Sequence, residues 1–224
     1  MKTFPGPEFS TYGHLLSRVQ ALALALIVVL ALAPAAEARA LRVVALGDSL
    51  TAGYGLPAGQ SFADALQSAL KAMGFDVEIV NAGVSGDTVA GGLSRFDWSV
   101  PEGTDALIVE LGANDMLRGF DPARTEASLA QILERARARH LPTLIAGMRA
   151  APNLGPDYQR RFDAIYPDLA KRYGVTLYPF FLEGVAGDPK LNQPDGLHPT
   201  REGVARIVAA MLPTVERFLA TVQQ

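Results

Sequence analysis

No cysteine occurs anywhere in the chain. That excludes a disulfide framework, a thiol nucleophile and cysteine-held metal, although it names no compartment, because secreted proteins can lack disulfides too. Positive charge is also in short supply: 20 Lys and Arg face 23 Asp and Glu, the net charge is -3, and no run of Lys or Arg exceeds two residues. Such a chain offers no field for a phosphate backbone, so nucleic acid is not an expected partner. Histidine is rarer still, at three residues, which leaves few candidates for an imidazole base or a metal ligand. No linker, internal repeat or low-complexity stretch interrupts the body of the sequence. What the 224 residues do have is 49% hydrophobic content, enough for one sizeable core, and the length favours a single domain.

The N-terminal region departs from this pattern. An uncharged apolar run extends from Val19 to Ala33, preceded by Lys2 and Arg18 and followed by small residues at Ala36 and Ala38. This is the layout of a secretory leader, and its apolar part, about 15 residues, falls short of the roughly 20 that span a bilayer as a helix. A retained anchor is the competing reading. A helix buried in the fold would need polar positions facing solvent, and the run contains none. Cleavage fits after Ala38 or after Ala40, since both follow a small-x-small pattern. The expected organisation is therefore a signal peptide over 1–38 and one domain over 39–224, placed in the periplasm or secreted, with no stable membrane span after cleavage.

Beyond the leader, two kinds of segment alternate. Runs rich in Val, Ile and Leu at Arg42 to Leu46, Val77 to Val80, Ala106 to Leu111, Thr143 to Ala146 and Val175 to Tyr178 predict strands. Helical spacing lies between them: Phe62, Ala65, Leu66, Ala69, Leu70 and Met73 share one face, as do Leu129, Ile132, Leu133 and Ala136, and also Phe162, Ile165, Tyr166, Leu169 and Tyr173. Pro167 is expected to kink or shorten the third of these, and Pro213 to interrupt a C-terminal helix over Glu202 to Val222. Five strands separated by helices imply right-handed crossovers and an α/β fold whose parallel sheet is covered on both faces. In such sheets the reactive groups gather beyond the carboxyl ends of the strands.

The loops at those ends are unlike the others. They read "GDSLT", "NAGVSGDT" and "GANDMLRG", joined by "DGLHPT" before the last helix, whereas "PEGTD" and "RYG" at the opposite ends are ordinary connectors. Ser49 sits at the turn from strand to helix, where its hydroxyl is pushed outward and backbone N–H groups favour negative charge. It is a candidate nucleophile, and equally a candidate helix N-cap. Of the histidines, His14 belongs to the leader and His140 ends an Arg-rich helix face, which leaves His198 as the base. Asp195, three residues before it, can fix the imidazole tautomer. The same pair could instead stabilise a turn or ligate a metal together with Asp48, but no second histidine supports the latter. An oxyanion would find donors in the Ser49 amide, the Gly86 amide and the Asn114 side chain, although Gly86 also fits a plain turn and Asn114 a helix N-cap. The Gly53-x-Gly55-x-x-Ala58 spacing suggests a dinucleotide loop only weakly, because it begins six residues after the strand end at Gly47.

The segments "ALGDSLTAGYG", "NAGVSGDT", "LGAND" and "DGLHP" resemble the four blocks of the SGNH or GDSL hydrolase family, in particular its bacterial periplasmic branch of thioesterases, lysophospholipases and arylesterases. The resemblance spans residues 41 to 218. It implies a flavodoxin-like three-layer α/β/α sandwich around a five-stranded parallel sheet, Ser49 as nucleophile, Asp195 and His198 as its partners, and an oxyanion hole of Ser49, Gly86 and Asn114. It further implies hydrolysis of carboxylic esters and acyl thioesters of medium or long acyl chains, aryl esters and lysophospholipids, without cofactor or metal. The partner is then a small acyl ester or thioester, with contact to lipid substrates. Met116, Leu117, Pro152, Leu154 and Tyr158 are the candidates to line an acyl groove; Met148 reads more naturally as core. A carbohydrate acetylesterase is the alternative enzyme, poorly supported by the single Trp98, and a non-enzymatic binding module would not require both Ser49 and His198.

Overall fold

The computed structural model describes residues 1–2 and 39–222, and the leader lies outside the described residues. The chain divides into two units, Met1–Arg39 and Ala40–Gln224, and everything below concerns the second. Its centre is a five-stranded sheet in the order β2-β1-β3-β4-β5. The strands are β1 (Leu41–Gly47), β2 (Val77–Gly83), β3 (Ala106–Glu110), β4 (Thr143–Ala146) and β5 (Thr176–Tyr178), all parallel. β1 and β3 are inaccessible along most of their length, which is why they read as unbroken apolar runs and not as alternating ones.

The helices are α1 (Ser49–Ala52), α2 (Phe62–Ala72), α3 (Val89–Ser94), α4 (Phe96–Ser99), α5 (Ala113–Leu117), α6 (Pro122–Ala138), α7 (Pro156–Tyr173) and α8 (Arg201–Val222). They pack in two groups, α2 against α8 and α6 against both α3 and α7, which gives the three-layer sandwich. The chain steps from β1 to β2 on one side and then crosses back past β1 to β3 on the other, so the strand order reverses between β1 and β3. That reversal opens a crevice at the carboxyl ends of these two strands, where ligands of such sheets bind.

Three expectations need correction. β2 runs on to Gly83 because its pairing with β1 continues through Ala45↔Asn81 and Gly47↔Gly83; polar Asn81 is tolerated at the sheet edge, where its amide donates to Ser61 Oγ. Neither Pro167 nor Pro213 ends its helix. Each proline lies on the solvent face, as do Asp163 and Ala209, whose carbonyls lose their partners, so water can satisfy those groups. On the inner face Ile165, Tyr166 and Leu169 continue past the first proline, as Met211, Val215 and Phe218 do past the second. β5 begins at Thr176, one residue later than the apolar run suggested.

Candidate active site

β1 ends at Gly47, and Asp48 caps the single turn of α1, its Oδ1 accepting the Leu50 N–H at 3.0 Å. Ser49 is therefore not the cap but the first helical residue, 9% exposed at the base of the crevice. The strand ends on either side are clipped together by Arg95, whose guanidinium donates to the Gly47 carbonyl at 2.8 Å and the Ala82 carbonyl at 2.9 Å and pairs with Asp87 at 2.6 Å. This clip holds the turn carrying Ser49 beside the turn carrying Gly86.

The loop before α8 approaches from the other side. His198 Nε2 stands 2.9 Å from Ser49 Oγ, and His198 Nδ1 stands 2.7 Å from Asp195 Oδ2. The other Asp195 oxygen accepts the backbone N–H groups of Leu197 at 2.9 Å and His198 at 3.0 Å. These backbone donors, the His198 amide foremost, hold the Asp195 carboxyl down at about 2. An ionised carboxylate can only accept, so Nδ1 must carry the proton and Nε2 is left as an acceptor facing the serine hydroxyl. One aspartate thus braces its own turn with one oxygen and meets the ring with the other.

Asn114 is helical within α5, and Gly112 occupies the cap position expected of it. Its Nδ2 donates to Asp48 Oδ2 at 3.0 Å, which fixes the amide and uses one of its two N–H groups. Gly86 has φ +84°, a left-handed conformation that a side chain would strain, and its carbonyl accepts from Arg118 Nη2 at 2.8 Å. Arg118 follows α5 directly, so the turn bearing Gly86 and the helix bearing Asn114 are tied across the mouth. Beneath Ser49 lies Glu110, wholly buried, with Oε2 accepting from Thr51 Oγ1 at 2.6 Å. Burial, followed by the charge of Asp48, pushes Glu110 well above the carboxylate range; burial likewise raises Asp48 to about 6, against the opposing pull of the Leu50 amide and the Asn114 side chain.

A hollow of about 170 Å³ opens at Ser49, lined by Asn114, Met116, Leu117, Leu182, Leu197 and His198 among others. A second, of about 440 Å³, shares Met116, Leu117, Leu182 and Leu197 with it and continues along Met148, Pro152 and Phe180. Of the groove candidates, Met116, Leu117 and Pro152 line this space; Leu154 and Tyr158 do not. Tyr158 instead stacks on Phe162 and donates to the Phe120 carbonyl at 2.9 Å, and Leu154 packs against the core. Met148 is buried and yet lines the larger hollow. Leu182 and Leu197 went unrecognised; Leu197 is an apolar residue in an otherwise polar loop, and that mismatch was its signal, whereas Leu182 is masked by the neighbouring Phe180 and Phe181. Asp48, Glu110, Arg95 and Arg118 gave a weaker signal, visible chiefly as a lone acid ending an apolar strand in the case of Glu110. His140 takes no part. It follows α6 at the opposite end of the sheet with φ 51° and borders a separate hollow beside Arg137 and Thr143.

The GDSL-like Lipase/Acylhydrolase family matches residues 45–206. Esterase TesA of Pseudomonas aeruginosa is 40% identical over 184 residues, covering 82% of this chain and 92% of that protein. Thioesterase 1/protease 1/lysophospholipase L1 of Escherichia coli K12 is 41% identical over 158 residues, covering 70% and 74%. The crystal structure of AlinE4, an SGNH-hydrolase family esterase, superimposes with a TM-score of 0.69 at 48% identity, covering 80% of this chain and 96% of that one. A family match over most of the folded unit and relatives of this identity converge with a crevice that joins a serine to a histidine and an aspartate, and the chain belongs to the GDSL-like lipase/acylhydrolase family.

Proposed function

We propose that this chain is a serine hydrolase of carboxylic esters and acyl thioesters, with Ser49 as nucleophile, His198 as general base and Asp195 as the group that orients it. The relay from Ser49 Oγ through Nε2 to Nδ1 and Asp195, at 2.9 and 2.7 Å, carries the reading. Ser49 attacks the acyl carbon and forms the C–O bond while His198 takes its proton. The amides of Ser49 and Gly86 and the Asn114 side chain hold the oxyanion. The tetrahedral intermediate collapses, the C–O or C–S bond to the leaving group breaks, and His198 returns the proton to the departing atom. Water then repeats the sequence on the acyl-enzyme and frees the acid.

The apolar walls of Met116, Leu117, Leu182 and Leu197 support acyl chains of medium or greater length, extending from Ser49 into the larger hollow beside Pro152. No cofactor enters this chemistry. Residues 1–38 act as a secretory leader and 39–224 as the catalytic domain, delivered to the periplasm or beyond, where lysophospholipids and aryl or thioesters are the substrate classes; the support is the charged start, short apolar run and small residues of the leader. Among the described residues no helix is long and apolar enough to cross a membrane.

Hydrolysis of p-nitrophenyl esters from acetate to palmitate by residues 39–224 tests the reading. Turnover should peak at medium or long chains and vanish in Ser49→Ala with the fold intact. Activity confined to acetate would point to a carbohydrate deacetylase, and full activity in Ser49→Ala would remove the nucleophile assignment.

A further inference from the structure

The Gly53-x-Gly55 motif binds no dinucleotide in the reaction above, and its geometry serves something else. Gly53 and Gly55 both adopt left-handed conformations, φ 80° and 75°, on either side of Tyr54. Two such residues in three reverse the chain sharply after α1 and turn the side chain between them back toward the crevice. The Tyr54 ring comes to rest against His198, with centroids 4.5 Å apart and planes tilted by 39°. The segment is also pinned from the histidine side. Gln193 donates through Nε2 to the Tyr54 carbonyl at 2.7 Å and the Pro199 carbonyl at 3.0 Å, and its backbone N–H donates to the His198 carbonyl at 2.7 Å. A Cβ on Gly55 would lie 2.2 Å from Gln193 Oε1, so the close approach requires glycine there.

For all this bracing, the ring is not a packing residue. Tyr54 remains 52% exposed, and it is absent from the apolar lining of the acyl hollow. It stands on the imidazole that hands a proton to the departing group. Resting on the assignment of Ser49 and His198, we propose that Tyr54 is a specificity-determining residue of the leaving-group side: its ring braces the imidazole, and its open part is the surface on which an aryl leaving group lies. A flat ring in that position gains a stacking contact that a short alkyl alcohol cannot make, so the site favours aryl over alkyl esters of the same acid.

The experiment compares phenyl butanoate with ethyl butanoate in wild type, Tyr54→Leu and Tyr54→Phe, with Ser49→Ala alongside. The intrinsic reactivity of the two esters cancels when each variant's ratio of kcat/KM is divided by that of wild type. Tyr54→Leu should lower kcat/KM about tenfold on the phenyl ester but only about two- to threefold on the ethyl ester, since a ring pair contributes roughly three- to fivefold beyond plain burial. Tyr54→Phe should restore the aryl preference. Equal losses on both esters would reduce Tyr54 to a brace for His198 and overturn the proposal, as would no loss on either. Activity surviving in Ser49→Ala would mark a failure of the serine assignment instead, whatever Tyr54 does. Thermal unfolding of each variant separates all of these from loss of the fold.

Discussion

Asp48 and Asp195 flank the same serine, and their surroundings drive them in opposite directions. Asp195 lies on an exposed loop where two backbone N–H groups and the imidazole converge on its oxygens, and it is held at about 2. Asp48 is buried beside Ser49 with Glu110 close by, and it rises to about 6. Residue type does not decide the charge; the number of donors set against the cost of desolvation does. The division suits acyl transfer. A carboxylate at His198 Nδ1 fixes the tautomer and orientation of the ring, whereas a full charge beneath Ser49 would repel the proposed oxyanion. Burial pushes Glu110 well above the carboxylate range, and Asp48 accepts from the Asn114 amide.

The largest effect should come from the exposed member. Asp195→Asn keeps the shape but removes the acceptor-only group that fixes the tautomer, and kcat should fall on the order of 10³- to 10⁴-fold with an unchanged circular dichroism spectrum. A variant that kept a tenth of the activity would break the contrast. On the buried side, Asn114→Ala removes a proposed oxyanion donor and should lower kcat on the order of 10²-fold with less effect on KM. Asp48→Asn only loosens that donor and should lower kcat about tenfold, which steady-state kinetics on one ester can rank.

Stability against pH sharpens the same contrast because the two aspartates contribute with opposite sign. A depressed carboxylate stabilises the fold fully above its ordinary value of 3.8, and this is lost as pH falls toward about 2, the Asp195 case. A raised one contributes fully below 3.8 and loses that contribution as pH rises through about 6, the Asp48 case. Urea midpoints taken in steps from about pH 3 to 7 should show a decline above about pH 4, to which Glu110 also contributes, that becomes shallower in Asp48→Asn. Parallel declines in both proteins would count against a raised Asp48. The smallest effect is expected at the mouth. Arg118→Ala removes an exposed hydrogen bond to the Gly86 carbonyl, and kcat should fall only about two- to threefold.

Much of this was legible along the chain. The apolar runs placed β1, β3 and β4 because strands buried on both faces have no alternative to Val, Ile and Leu. Ser49, Gly86, Asn114, Asp195 and His198 stood out because small and polar residues crowd the loops at one end of the sheet only. The two prolines did not shorten or interrupt their helices as expected, because each falls opposite the buried face, where water can satisfy the carbonyl that loses its partner. Tyr158 and Leu154 were misplaced because an apolar residue near a site looks the same whether it lines the groove or supports the core behind it.

Sequence alone thus determined the order of strands and helices and singled out a candidate nucleophile and a candidate base, since periodicity and scarcity are local properties of a chain. Tertiary structure decided the rest. It brought His198 to Ser49 across 149 positions, clipped the ends of β1 and β2 with Arg95, and set Tyr54 against the imidazole. It also set the direction in which each carboxyl is shifted, because burial and converging donors exist only after distant segments have packed.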